Sequence, residues 1–89
     1  MQLTMLEDII KSTLSALLLM SKNKKGGINE AEFVTQNNMI GAAESRDKGY
    51  AKKIMYDNSN YKSVNHYRLT KKGINYLKKI LEFASKEFN

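Results

Sequence analysis

Cysteine, proline and tryptophan are absent from the 89 residues, and histidine occurs once, as His66. Without cysteine there is no disulfide framework, no thiolate metal site and no cysteine nucleophile, which suits a reducing compartment and a cytoplasmic location. One histidine cannot build a histidine-rich metal centre, so no metal and no cofactor are expected. It also cannot supply a catalytic triad when no paired-carboxylate motif accompanies it. Lys25-Gly26-Gly27 lacks the spacing of a phosphate-binding loop. An enzyme is therefore not expected. Long apolar runs are missing too. The longest, Ala16–Met20, is five residues, whereas a membrane span needs about 18 or more. Glu7 and Asp8 stand where a secretory leader would be basic, so neither a leader nor a membrane partner is expected.

What is present is enough for one small domain, residues 1–89. The hydrophobic share of 42% argues against global disorder. Charge is the strongest clue. Lysine and arginine number 15 against 9 acids. Residues 1–40 are balanced, with four lysines against four acids. Residues 41–80 hold ten basic residues against Glu44, Asp47 and Asp57. A cationic excess confined to one half of a chain marks a polyanion-binding face.

The spacing predicts an N-terminal helix over about 4–21. Thr4 and Glu7 have capping-box spacing, and Leu6, Ile9, Ile10, Leu14, Leu17 and Leu18 recur every three to four residues. The end of this helix is apolar nearly all round, through Leu17, Leu18, Leu19 and Met20. Such a collar needs cover on more than one side: the domain core plus a second subunit, or a central position in one domain. Asn29 can cap a short second helix, with Glu32 three residues on and Ala31, Phe33 and Val34 as its apolar face. A third helix starts near Met39. One register ends it at Gly49 and makes Tyr50–Asp57 a strand; the other carries it to Met55. The first is preferred because Asp57-Asn58-Ser59-Asn60 is a turn signal and the alternating Tyr61–Thr70 stretch needs a strand partner. The second and third helices together occupy about 29–48, and the hairpin about 50–69. Thr70 then caps a last helix over about 71–87, striped by Ile74, Leu77, Ile80, Leu81 and Ala84. The fold class expected is α+β, mainly helical.

Asp47-Lys48-Gly49-Tyr50, then about twenty residues of hairpin, then His66-Tyr67-Arg68-Leu69-Thr70-Lys71-Lys72-Gly73 resembles a winged helix-turn-helix domain. The pattern is similar to that of MarR-like and PadR-like transcriptional regulators and spans roughly Ile28 to Leu81. Ser45 and Asn38 depart from it, standing where the family usually carries apolar residues. The resemblance implies three helices, a two-stranded wing and a C-terminal helix, with double-stranded DNA as the partner.

The residue types suit that chemistry. Gln36, Asn37 and Asn38 can pair with adenine, Arg46 with guanine, and Ser45 with base or phosphate. Lys48, Lys52, Lys53 and Arg68 can position the fold on phosphates. Asn60, Tyr61 and Lys62 at the wing tip can follow the backbone. Leu17, Leu18, Leu19, Met20, Phe83 and Phe88 are the candidate surface of a homodimer. The expected function is sequence-specific DNA binding by a small dimeric transcriptional regulator, or a plasmid or phage DNA-binding factor. The alternative is a protein-interaction module or inhibitor whose basic face docks on an acidic protein. Nothing in the sequence defines a small-molecule effector.

Overall fold

A computed structural model describes residues 3–23, 26–57 and 63–88; within these, the side chains of residues 3–6, 57, 63, 87 and 88 lie outside the described part. The elements run α1 (Leu3–Ser21), β1 (Ile28–Asn29), α2 (Glu30–Thr35), α3 (Met39–Asp47), β2 (Ala51–Asp57), β3 (Ser63–Leu69) and α4 (Lys71–Phe88). The chain is α+β and mainly helical, with one antiparallel sheet of strand order β1-β3-β2. Thr4 is already helical, inside the first turn of α1.

Local chemistry explains most boundaries. Asn29 caps α2: its Oδ1 accepts from the Ala31 N–H at 2.9 Å. α3 stops at Asp47 because Gly49 takes φ 81°, a left-handed conformation that costs glycine little and other residues much. The Tyr50 N–H then donates to the Ser45 carbonyl at 2.8 Å, turning the chain into β2. β2 pairs with β3 from Ala51↔Leu69 to Asp57↔Ser63, so the shorter of the two helical registers is the one adopted. β1 was not expected. Its two residues are too few to show alternation, and it exists only through pairing with His66 and Tyr67.

The core lies between α1, α3 and the inner face of the sheet. Leu17, Met20, Phe33 and Tyr67 are its largest fully buried apolar members, each worth about 1.5–3 kcal/mol in burial. Phe33 meets Tyr67 edge-on, with ring centroids 5.5 Å apart. Of the apolar face expected for α2, only Phe33 turns inward; Ala31 is exposed and Val34 is 60% exposed.

The leucine collar needs a correction. Leu17, Leu19 and Met20 are buried within the single chain, so they are not available to a partner subunit. The covering that an all-round apolar turn demands comes from α3, β3 and α4 packing around α1. Leu18 alone of the four faces outward, at 40% exposure. Phe83 is 66% exposed on the distal half of α4, beside Leu81 at 51%. The side chain of Phe88 lies outside the described part.

Candidate nucleic-acid interface

α3 presents one face to α1 and the opposite face to solvent. Gly41, Ala42 and Ser45 point inward. The Gly41 N–H donates to Ser12 Oγ at 2.9 Å, bringing the two helices into backbone contact. The helical period therefore turns Ile40, Ala43 and Asp47 outward, with Arg46 on one edge and Glu44 and Lys48 on the other. Ile40 is 67% exposed.

Two residues expected to contact DNA are interior instead. Ser45 is fully buried and its hydroxyl donates to the Gly41 carbonyl at 2.7 Å, which ties it to its own helix. Asn38 is buried at the start of α3, and its Oδ1 has no hydrogen-bond partner among the described residues. Gln36 and Asn37 remain exposed in the α2–α3 turn, where Asn37 adopts φ 56°.

The hairpin sorts the remaining cations onto two faces, because neighbouring residues in a strand point opposite ways. Lys53 shares the inner face with its cross-strand partner Tyr67. There Glu30 acts as a hub. Its Oε2 accepts from the Tyr67 hydroxyl at 3.1 Å and lies 3.9 Å from Lys53 Nζ. Burial pushes the Tyr67 hydroxyl pKa up, and the hydrogen bond and charge of Glu30 add to the rise; Arg46 pulls the other way. Arg46 also pairs with Asp47 at 3.5 Å. Arg46 and Lys53 thus belong to a polar cluster joining α2, α3 and the sheet.

Lys52 and Arg68 sit opposite each other on the outer face. The foot of the hairpin adds more charge. The Thr70 N–H donates to the Tyr50 carbonyl at 3.0 Å, and the Thr70 hydroxyl to the Gly49 carbonyl at 2.6 Å. Lys72 Nζ donates to the Lys48 carbonyl at 3.0 Å. Residues 48–52 and 68–72 are thereby locked together, gathering Lys48, Lys52, Arg68, Lys71 and Lys72 at one end of the sheet. Lys48 is partly neutralised by Glu44 at 3.4 Å. Lys71 and Lys72 were not among the expected contacts. Their signal was adjacency to Arg68 across the Thr70 cap. Asn60, Tyr61 and Lys62 lie outside the described residues.

Among the described residues, no group of three histidine or acidic side chains is placed to hold a metal ion, and no helix is long and apolar enough to cross a membrane. No protein-family model matches the chain, and no curated protein or solved structure compared with it matches either.

Proposed function

We propose that the chain is a winged helix-turn-helix protein that binds double-stranded DNA. The observation that carries this reading is the gathering of Lys48, Lys52, Arg68, Lys71 and Lys72 at the hairpin foot, directly after a helix whose outer face is free. Element order supports it: a short capped helix, a tight turn, a second helix and an antiparallel hairpin. On this reading α3 enters the major groove, a channel wide enough for one helix. Gln36 and Asn37 meet adenine edges, Arg46 a guanine at the helix edge, and Ile40 and Ala43 thymine methyl groups. Lys48, Lys52 and Arg68 hold phosphates. Such a protein would act as a small transcriptional regulator or as a plasmid or phage DNA-binding factor.

The test is the salt dependence of affinity for a fluorescent duplex. If about six of the basic groups in residues 41–80 touch phosphates, the log–log slope should be near −5. A flat response between low and physiological salt would remove the reading.

The protein is further proposed to be a homodimer, now through Leu18, Leu81 and Phe83. Leu18 and Leu81 line one cleft between α1 and α4. Leu81→Lys with Phe83→Lys should give a folded monomer in sedimentation velocity, while the parent sediments as a dimer. A parent that sediments at 10.2 kDa whatever its concentration would refute the dimer.

A second reading has its own observation. Val34 and Ile40 are exposed on successive helices, and Asp47 and Glu44 offset Arg46 and Lys48. That surface also fits an acidic protein with apolar side chains. Tight binding to such a partner, together with weak binding to every duplex, would favour it.

A further inference from the structure

The N-terminal half of α4 forms a cleft that neither α3 nor the hairpin strands explain. Tyr50, Lys71, Lys72, Asn75, Tyr76 and Lys79 line about 530 Å³. One wall is a pair of stacked rings, Tyr50 and Tyr76, 4.2 Å apart and 8° from parallel. Tyr50 is held at both ends of its backbone, donating to Ser45 and accepting from Thr70. Gly73 packs so closely that a Cβ there would overlap the Tyr50 carbonyl. Lys72 lies over the Tyr50 ring, 5.4 Å from its centre. The wall is therefore fixed in place, and the lysines project beside it.

No acidic side chain lines this cleft. The ion pairs among the described residues involve Arg46, Lys48 and Lys53, not Lys71, Lys72 or Lys79. Two of the three lysines also occupy the first turn of α4, where the helix dipole disfavours cations. Lys71 and Lys79 thus line the cleft without an ion-pair partner among the described residues, whereas Lys72 is engaged by the Lys48 carbonyl and the Tyr50 ring. We infer that the cleft is a second phosphate anchor, in which Lys71 and Lys79 grip the sugar-phosphate backbone of bound duplex DNA and Asn75 donates to the same strand. Continuity favours this occupant, because Lys72 bonds the Lys48 carbonyl and so joins the cleft to the hairpin foot. The anchor rests on the duplex-binding reading and extends its footprint onto α4.

The experiment compares salt slopes for one duplex across three proteins. Lys71→Gln with Lys79→Gln removes two exposed cations from the cleft and should make the slope shallower by about 1.8, at ~0.9 for each phosphate. Lys11→Gln with Lys22→Gln removes the same charge elsewhere, from exposed positions on α1 and in the turn that follows it. This control should keep the parental slope. If both pairs shift the slope equally, only net charge matters and the anchor is wrong while duplex binding stands. If the parent shows no salt-dependent duplex binding, the duplex reading itself fails and the anchor falls with it.

Discussion

Gly41→Ala is expected to destabilise the protein by about 3 kcal/mol, the upper range for overpacking a core. A Cβ at this position would overlap the Ser12 carbonyl of α1. The obstacle is backbone, not the end of a flexible side chain, so α1 and α3 must separate to admit it. Separation also breaks the bond from the Gly41 N–H to Ser12 Oγ. A domain of this length has a total stability of roughly 4–13 kcal/mol, so one methyl group removes a large share. The urea midpoint reads the effect directly. Gly26→Ala is the control, because its Cβ would meet only the Asn23 side chain, at 3.3 Å. Equal midpoints for the two variants would show that the α1–α3 contact is looser than described.

Phe33→Ala should cost about 3–5 kcal/mol, as for other buried aromatic truncations. Phe33 is the one buried residue of α2. A six-residue helix cannot persist alone, since nucleation is unfavourable and only a few bonds repay it. Loss of the ring also strips the edge contact from Tyr67, whose hydroxyl ties the sheet to α2 through Glu30. The α2–α3 turn should lose its orientation, and duplex affinity should fall with stability. Phe33→Leu, which keeps most of the volume, should lose less of both. A Phe33→Ala protein with the parental midpoint would mean that α2 is held by its cap and not by its ring.

Features set by neighbouring residues were legible in the sequence. The Asn29 cap joins residues two apart, and Gly49 ends α3 through its own backbone angle. The alternation of the last strand, the stripe of α4 and the cationic bias of residues 41–80 are equally local. What escaped was the direction a side chain takes once elements pack. Ser45 and Asn38 carry groups equally suited to a base edge or to an interior bond, and only the rotation of α3 against α1 sends them inward. Lys52 and Lys53 are adjacent in sequence yet face opposite sides of the sheet, one toward Arg68 and one toward Glu30.

Composition and periodicity by themselves determined that the chain is α+β and mainly helical, that its charge is lopsided, and where most helices and strands lie. These follow from short-range preference and from the count of apolar and charged groups. Tertiary structure alone decided that Leu17, Leu19 and Met20 belong to this chain's own core. It also decided that Lys71 and Lys72 join Lys48, Lys52 and Arg68. The physical reason is the same in both cases. Burial and charge density depend on which segments distant in sequence come within a few ångströms, here through the Thr70–Tyr50 backbone bond and the Gly41–Ser12 approach.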